Sequence, residues 1–402
     1  MSECRLDEIC NIYDCPHYTA ENEGKGYALI RTPNVGRGRL IMSDVHRVSF
    51  ENYKKRNARA TPECGDLIFA REAPAGNIAV IQNGEAVCLG QRTVLLKPNP
   101  KIVNAYYLAY NILTPWQQRR LLAPSAGSIV SHVNLKDIKA FTLTLPTIEQ
   151  QKIIAQVLCA LDDKIELNRR LNDNLEAMAQ ALYDYWFVQF DFPDENGKPY
   201  KSSGGKMVWN EVLKREIPDG WEVCAIKDIL NPQKAPFRLD AKQYKQAGLY
   251  HIFDQATDNY IAGYTDNPDV LQNTYPAVIF GDHSCTVKLA PSPYARGADG
   301  TQVMTTSHPN LPVYYFYRYI KSTKVPNPGY SRHFKFLKSS FIIIPDNEIV
   351  ARFNAAVGCI EEKVWILHQE RQNLSIHRDF LLPLLMNGQV QVKQLNYRLT
   401  AD

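Results

Sequence analysis

The 402-residue sequence has no apolar run that approaches the ~20 residues needed to cross a bilayer as a helix. Its N-terminal stretch, MSECRLDEICNIYD, is polar and acidic, unlike a secretory or transit peptide. The 9 cysteines are odd in number and follow no disulfide framework, which favours reduced thiols. One cluster of thiols and imidazole lacks the spacing of a zinc site: Cys4, Cys10, Cys15 and His17. We therefore expect a cytoplasmic protein without a membrane segment or a bound metal.

Three strings carry part of a catalytic motif, and each lacks something that the chemistry needs. Asp346 and Glu361-x-Lys363 share the letters of a nuclease, but about 20 Å of helix would separate two acids that must share a metal. Residues 327–330 (NPGY) resemble an adenine methyltransferase loop, but no glycine-rich cofactor turn accompanies them. Residues 202–206 (SSGGK) precede Met207, where a phosphate loop needs Ser or Thr. The sequence predicts no catalytic residue and no cofactor bound by this chain.

Composition and charge describe a globular chain with two basic regions. Hydrophobic residues make up 45% and charged residues 22%, and 402 residues suit two or three domains. The net charge of +4 is uneven: residues 1–145 carry +5, 146–192 carry −4, 193–344 carry +4 and 345–402 carry −1. Basic regions favour contact with a polyanion, whereas chance variation is the alternative interpretation.

An internal repeat organises the sequence. At a constant offset of 199 positions, the residues after Leu145-Pro146 align without a gap with those after Ile344-Pro345. The string DDKI at 162–165 meets EEKV at 361–364, and aliphatic residues recur at matched positions on both sides of it. A match of this length indicates a tandem duplication.

Both copies of the repeat are predicted to be long helices. A proline precedes each copy, where it suits the first helical turn. Apolar residues then recur at three- and four-residue spacing, which favours a coiled-coil pair. These residues are Ile154, Leu158, Leu161, Ile165, Leu175, Met178, Leu182 and Tyr185 in the first copy, and Phe353, Val357, Ile360, Val364, Leu367, Leu374, Leu381 and Leu384 in the second. An antiparallel pairing would place the other two regions at opposite ends of a dumbbell with approximate two-fold symmetry.

The regions outside the repeat alternate strand and helix patterns. Residues 67–70, 78–81, 93–96, 277–280 and 341–344 are predicted strands, residues 104–114 a helix, and residues 313–321 either helix or strand. The predicted fold class is therefore α+β: two mixed α/β domains separated by two long antiparallel helices that form a coiled coil, with an internal pseudo-two-fold repeat. The boundaries are 1–145 for the first domain, 146–190 for the first helix, 191–344 for a linker and the second domain, and 345–402 for the second helix and a tail.

A duplicated frame with two unlike ends suits duplex DNA. Its approximate two-fold axis matches that of the duplex, while each end can diverge to recognise a different half-site. Arg and Lys contact guanine edges or phosphates, and Asn and Gln contact adenine. The candidates for DNA contact are Arg31, Asn34, Arg37, Arg39, Arg56, Arg71, Gln91, Arg92, Ser131 and His132 in the first domain, and His283, Lys288, Arg296, Arg332, His333 and Lys335 in the second. For any single basic side chain, a solvated surface position is the alternative.

Long strings in a consistent order carry a family resemblance. They include GDLIFAREAPAGNIAV and CLGQRTVLLKP in the first domain, LPTIEQQKIIAQVLCALDDKIELNRRLNDNLEAMAQALYDYWFVQFDF in the first helix, and VIFGDHSCTVKLAPSPYARGADGTQV in the second domain. The chain resembles the specificity (S) subunit of type I restriction–modification enzymes. The resemblance implies that the two domains are target-recognition domains, that the helices space them, and that two copies of a modification (methyltransferase) subunit bind the helices. It also implies a motor-nuclease restriction subunit, with S-adenosylmethionine, ATP and Mg used by these partners.

Two alternatives stay open. The matched loops at 125–134 and 327–336 are rich in Ser, His, Asn and Arg; they either contact a DNA groove or cap each domain onto its helix, with contact favoured for Arg332, His333 and Lys335. The chain as a whole is expected to recognise a bipartite asymmetric DNA sequence and to direct methyltransferase and restriction subunits to it. The alternative is a coiled-coil scaffold that joins two proteins and binds no DNA.

Overall fold

A computed structural model describes residues 2–82, 84, 86–123, 131–231, 237–257, 259–325 and 332–392. The chain divides into two compact units. Unit 1 comprises Met1–Asp163 and His377–Asp402, and unit 2 comprises Lys164–Ile376. There are two long helices, α6 (Ile148–Tyr183) and α10 (Asn347–Met386). One part of each helix belongs to unit 1 and the other part to unit 2.

The elements of unit 1 are mostly short strands. They are β1 (Ser2–Arg5), α1 (Leu6–Ile9), β2 (Cys10–Asp14), β3 (Tyr27–Ile30), β4 (Gly38–Arg39), β5 (His46–Val48), α2 (Phe50–Arg56), β6 (Leu67–Ala70), β7 (Ile78–Val80), β8 (Val87–Leu89), β9 (Thr93–Pro98), α3 (Ala105–Ile112), α4 (Pro115–Leu122), α5 (Leu135–Ala140) and β10 (Thr142–Leu145). They form a five-stranded sheet in the order β2-β9-β6-β7-β4, a three-stranded sheet β5-β3-β8 and the pair β1-β10.

Unit 2 has the same kinds of element. They are β11 (Met207–Asn210), β12 (Arg215–Pro218), β13 (Glu222–Ala225), α7 (Ile226–Ile229), β14 (Tyr250–Phe253), β15 (Gly263–Thr265), β16 (Leu271–Gln272), β17 (Ala277–Gly281), β18 (Val287–Ala290), β19 (Tyr294–Arg296), β20 (Thr301–Met304), α8 (Val313–Ser322), α9 (Phe334–Ser339) and β21 (Phe341–Ile344). They form the sheets β18-β17-β20 and β15-β14-β19-β16 and the pairs β13-β21 and β11-β12.

The two units share the central part of their topology although their sequences differ and their sheets have different numbers of strands. The antiparallel trio β7-β6-β9 corresponds to β18-β17-β20, and the parallel pair β3-β8 corresponds to β14-β19. The pair β1-β10, which precedes α6, corresponds to β13-β21, which precedes α10. The duplication found in the helices therefore extends through the sheets, where the sequence no longer shows it.

Each unit has a core made by its central strand, a neighbouring helix and the helix pair. In unit 1 the four residues of β6 are buried, and Tyr107 of α3 is 1% exposed. That core continues onto Leu158 of α6 and Leu385 of α10. In unit 2, β17 is buried along its whole length, and an aromatic cluster includes Phe187 and Phe353 with ring centroids 4.8 Å apart. Continuous apolar runs such as LIFA and AVIFG suit strands that are covered on both faces.

The two long helices run in opposite directions beside one another within each unit. In unit 1, Arg378 of α10 lies 2.9 Å from Asp162 of α6. In unit 2, Asn168 donates to Glu370 at 2.8 Å, and the ring of Trp186, in the helical turn that directly follows α6, lies 5.7 Å from that of Phe353. The partner's residue number falls as the α6 number rises, so the pairing is antiparallel, as predicted.

The apolar stripe predicted for the coiled coil is partly wrong. Met178 is 59% exposed and Tyr185 is 37% exposed, so neither side chain lies in the interface between the helices. Buried polar residues occupy positions on the inner face instead, among them Asp162, Asn168 and Asn172. Apolar residues at helical spacing lie on two faces of α6. The spacing alone does not show which of these faces packs against α10.

The predicted α+β class with two long antiparallel helices is confirmed. The five predicted strands fall on β6, β7, β9, β17 and β21, and the predicted helix falls on α3. Residues 313–321, for which helix and strand were both open, lie in α8. Among the described residues, no helix is both long and apolar enough to span a membrane.

Candidate nucleic-acid interface

Four of the predicted contact residues of unit 1, Arg71, Gln91, Arg92 and His132, lie where β6 ends and β9 begins. The Arg71 N–H, just after β6, donates to the Arg92 carbonyl at 2.9 Å, and the Val133 N–H donates to the Arg71 carbonyl at 3.0 Å. Gln91 donates to the carbonyl of His17 at 3.0 Å. Residues that are far apart in sequence therefore meet at one edge of the sheet because strand pairing brings their loops together.

Charged side chains form a connected group at this edge, which we call the unit 1 cluster (Asp14, Arg71, Glu72, Arg92 and His132). One Glu72 oxygen lies 2.6 Å from Arg92 and the other lies 2.7 Å from Nδ1 of His132. Nε2 of His132 lies 3.2 Å from Arg71, which is also 3.4 Å from Asp14. A His132 ring that carries its proton on Nδ1 would face a carboxylate on one side and accept from a guanidinium on the other.

Arg92 has an unusual backbone within this cluster. Its φ is +62°, in the left-handed region that residues with a Cβ seldom adopt. Strain of this kind costs on the order of 1 kcal/mol and persists where the surrounding structure enforces it. Here the Arg92 carbonyl accepts the Arg71 N–H, and the following residue starts β9.

Unit 2 has a corresponding group of different composition, the unit 2 cluster (Arg238, Gln255, Asp282, His283 and Asp299). The His333 N–H donates to the Asp282 carbonyl at 2.8 Å, as Val133 does to Arg71 in unit 1. The His283 N–H donates to Gln255 at 3.1 Å, and Gln255 donates to the Asp299 carbonyl at 2.9 Å. Arg238 lies 2.7 Å from the Asp299 carboxylate. The same backbone frame therefore carries a different set of side chains in each unit.

Four predicted contact residues are buried, and the side chains of three of them donate to backbone carbonyls. Asn34 is 3% exposed and donates to the Ile41 carbonyl at 3.2 Å. Arg56 is 2% exposed and donates to the Leu89 carbonyl at 2.7 Å. Lys288 is 2% exposed and donates to the Asn259 carbonyl at 2.7 Å, and burial lowers its pKa to about 8 despite the nearby Asp254. Without a conformational change these side chains have no access to a groove.

The other predicted residues lie in varied surroundings. Arg39 pairs with Asp163 of α6 at 2.7 Å, and the exposed Arg37 donates to the Leu113 carbonyl at 3.1 Å. Arg31 and Arg296 are half-buried, and burial lowers the pKa of Arg296. His333 is 2% exposed, at the start of α9. Exposed positions are held by Ser131, Arg332 and Lys335.

The two loops expected to contact DNA or to cap the domains are only partly described. Residues 124–130 and 326–331 lie outside the described part of the chain, and they include the NPGY string. The described ends of both loops reach the clusters, through Val133 in unit 1 and His333 in unit 2.

The sequence pattern does not indicate Glu72, Arg238 or Gln255 as members of these clusters. A carboxylate such as Glu72 is not a group that phosphates or guanine edges attract, so a pattern of basic residues does not point to it. Its position directly after Arg71 in the run LIFARE was the available signal. Arg238 and Gln255 come from separate segments whose convergence no sequence spacing indicates.

The nuclease-like letters do not form a site. Asp346 caps the start of α10 by accepting the Glu348 N–H at 2.8 Å, and Glu361 accepts from Arg318 inside unit 2. Within the described residues, no three His, Cys, Asp or Glu side chains are grouped as metal ligands would be.

Comparison with known proteins shows a match to one family model in the first part of the chain. Residues 1–177 match the type I restriction modification DNA specificity domain. The match covers the described strands of unit 1, its cluster and most of α6.

Similarity to named specificity subunits continues past residue 177. The MjaIX type I restriction enzyme specificity subunit of Methanocaldococcus jannaschii is 26% identical over 372 residues, covering 85% of this chain and 81% of the relative. The HindI specificity subunit of Haemophilus influenzae is 23% identical over 400 residues, covering 81% of this chain and 86% of the relative. The crystal structure of an S subunit from M. genitalium has a similar fold, with a TM-score of 0.56 at 15% identity over 96% of this chain and 95% of that one.

Proposed function

We propose that this chain is the recognition subunit of a type I restriction–modification enzyme, that it binds duplex DNA at a bipartite asymmetric sequence, and that it performs no catalysis itself. The observation that carries the proposal is the pair of equivalent clusters. Both lie at the same strand ends of a duplicated fold, yet their side chains differ. Two copies of one frame with different polar groups suit two different half-sites.

DNA recognition would use two kinds of contact, one with the phosphates and one with the edges of the bases. Exposed cations such as Arg332 and Lys335 suit phosphates, which fix the register of the protein. The clusters suit base edges, because their donors and acceptors are held in fixed positions by neighbouring groups. The helix pair would set the unspecified spacer between the half-sites.

A row of exposed apolar side chains supports partner binding. It lies on α6 and on the π-helical turn Asp184–Val188 that follows it, and we call it the α6 stripe (Leu167, Leu171, Met178, Tyr185 and Val188). These side chains are 37–59% exposed and are three, four or seven residues apart. Large apolar side chains exposed in such a row are typical of a protein interface. We propose that the helices carry two copies of the modification (methyltransferase) subunit, which a motor-nuclease restriction subunit then joins.

The chemistry of the enzyme would belong entirely to these partners. S-adenosylmethionine, ATP and Mg would bind to these partners, and the modification subunits would flip and methylate an adenine in each half-site. The proposed location of the assembly is the cytoplasm, where the bacterial or archaeal chromosome would be accessible to it.

Mapping of DNA methylation tests this proposal directly. The chain would be co-expressed with the modification subunit encoded beside it, and methylated bases would be mapped on the host genome. The expected result is one split asymmetric motif with a methylated adenine in each half. Replacing residues 191–344 with the equivalent region of a related subunit should change one half of the motif and leave the other half intact.

A folded and assembled complex that methylates no motif would contradict the proposal. The alternative, a scaffold that joins two proteins without DNA, predicts that assembly needs the α6 stripe but that no duplex binds. Recognition of duplex DNA predicts an affinity that falls steeply as the salt concentration rises.

A further inference from the structure

The starting observation is the contrast between Arg92 and its equivalent in unit 2. The Arg71 N–H donates to the Arg92 carbonyl, and the Asp282 N–H donates to the Gly300 carbonyl at 2.7 Å, so Gly300 is the counterpart of Arg92. Both residues have a positive φ, +62° for Arg92 and +84° for Gly300. Glycine adopts this backbone without steric cost, whereas arginine does not. The arginine is therefore kept at a position where the fold alone would favour glycine.

The surroundings of the Arg92 side chain leave it available to a ligand. The side chain is 65% exposed, while that of Glu72, which lies 2.6 Å from its Nη1, is only 17% exposed. The other carboxylate oxygen of Glu72 lies 2.7 Å from Nδ1 of His132. Nε2 of the same ring lies 3.2 Å from Arg71. One nitrogen of the Arg92 guanidinium is thus held by the half-buried Glu72 carboxylate, and most of the arginine side chain is exposed to solvent.

Glu72 also changes which DNA group this arginine prefers. A carboxylate beside the guanidinium offsets its positive charge, which weakens attraction to a phosphate and repels the phosphate directly. The N–H groups of the planar guanidinium can still donate, and their geometry matches a pair of uncharged acceptors. Guanine presents such a pair, O6 and N7, on its major-groove edge, and bidentate arginine is its commonest specific contact.

We propose that Arg92 is the residue with which unit 1 selects a guanine in its half-site, and that Glu72 and His132 are positioning residues for its guanidinium. The inference rests on the proposed DNA recognition and adds the base and the residue. Unit 2 has glycine at the equivalent position, so its half-site is selected by other groups.

The test uses the complex assembled with the modification subunit and duplexes that carry the mapped motif. Each guanine of the first half-site is replaced in turn by 7-deazaguanine, which lacks the N7 acceptor. For the unmodified complex, one replacement should weaken binding by about 10-fold or more, as expected for a lost bidentate contact. In the complex with Arg92→Gly, binding to the motif should already be weaker by a similar factor and insensitive to that replacement. Arg92→Lys, which retains charge but not the planar fork, should behave like Arg92→Gly.

Folding provides an independent readout. Because glycine relieves the left-handed backbone, Arg92→Gly should keep or raise the unfolding temperature while it loses selectivity. Lys214 is a matched control: its φ is +51°, its side chain is exposed, and it pairs with Glu211 at 2.8 Å. Lys214→Gly should match the thermal effect and leave base selection unchanged. Glu72→Gln should raise affinity for unrelated duplexes and reduce the preference for guanine.

The outcomes separate this inference from the proposed function. If the unmodified complex binds no duplex specifically, the proposed function fails. If it binds its motif but Arg92→Gly retains the full guanine preference, or the first half-site contains no guanine, the assignment of Arg92 is wrong and the recognition role stands.

Discussion

Arginine at a predicted DNA interface has three different roles in this protein. Arg56 is buried and donates to backbone carbonyls, so it stabilises the fold of unit 1. Arg39 pairs with Asp163 and fixes β4 to α6. Arg92 remains largely exposed. The sequence presents all three as basic residues in a basic domain, and only burial and partners separate them.

His368 should make unit 2 sensitive to acid. Its ring stacks on that of Tyr260 with centroids 4.0 Å apart, and burial, with Arg371 nearby, lowers its pKa to about 3 from 6.5. Lys288 also lowers this pKa, whereas Glu176 raises it and offsets part of the effect. Below pH 6.5 the unfolded chain binds a proton at His368, whereas the folded protein does not until the pH approaches 3. The free energy of unfolding is therefore highest above pH 6.5 and falls as the pH falls towards 3.

The measurement is the free energy of unfolding by urea at several pH values. His368→Gln should reduce its slope between pH 6 and 4 by up to about 1.4 kcal/mol per pH unit. His377 is exposed on the same helix, and His377→Gln is the control for the substitution itself. An unchanged slope in the His368 variant would show that the ring is protonated in the folded protein.

At the scale of elements, a buried charge network attaches the second domain to the helix pair. Arg318 of α8 has no exposed side-chain surface and contacts Glu176 of α6 at 2.7 Å and Glu361 of α10 at 2.5 Å. Burial raises the pKa of Glu361 to about 7, and Arg318 acts against that shift. In unit 1 the repeat equivalent of Glu361 is Asp162, which accepts from Tyr110 of α3 and from Arg378 of α10.

Removal of Arg318 should therefore be costly. Arg318→Met would leave two carboxylates without their buried partner and should lower the free energy of unfolding by about 3–5 kcal/mol. Lys321 also contacts Glu176 but is 35% exposed, so Lys321→Met should lower it by no more than about 1 kcal/mol. Denaturant unfolding of both variants checks the prediction, and similar losses for the two would contradict it.

The α6 stripe should be needed for assembly but not for folding. Met178 is 59% exposed, so Met178→Glu should leave the unfolding temperature nearly unchanged. Co-purification with the modification subunit should fall strongly, because a charge would be buried in an apolar interface.

The control variant places the same charge beside the α6 stripe. Ala177 is exposed and lies about 100° around the helix from Met178, so its side chain points away from the line of the stripe. Ala177→Glu should therefore assemble normally. Normal assembly of Met178→Glu as well would assign partner binding to another surface.

At the scale of the whole molecule, the helix pair is expected to set the distance between half-sites. Asn168 and Glu370 face each other, so seven residues inserted after Asn168 and seven before Glu370 would preserve the pairing register. One heptad adds about 10 Å of helix, close to three base-pair steps of ~3.4 Å. Methylation mapping should show a longer spacer with both half-sites intact. Altered half-sites with an unchanged spacer would contradict this role of the helices.

The sequence was sufficient for the large-scale organisation because that information is local or repeated. The ungapped repeat and the proline before each copy predicted α6 and α10, and runs such as LIFA and FIII predicted strands that the structure contains. The quoted strings predicted the family that residues 1–177 match. Helical spacing and buried strands are imposed by neighbouring residues, so a single sequence retains them.

Tertiary structure decided which face of α6 is covered and which polar residues meet. Met178 and Asn168 both lie on α6, and the sequence does not show which of them faces α10. The packing of α10 against α6 buries the asparagine and leaves the methionine exposed. Strand pairing brings Glu72, Arg92 and His132 together over 60 positions of chain, and the left-handed backbone at Arg92 depends on that pairing. Composition cannot specify such convergence, because it depends on contacts between residues that are distant in sequence.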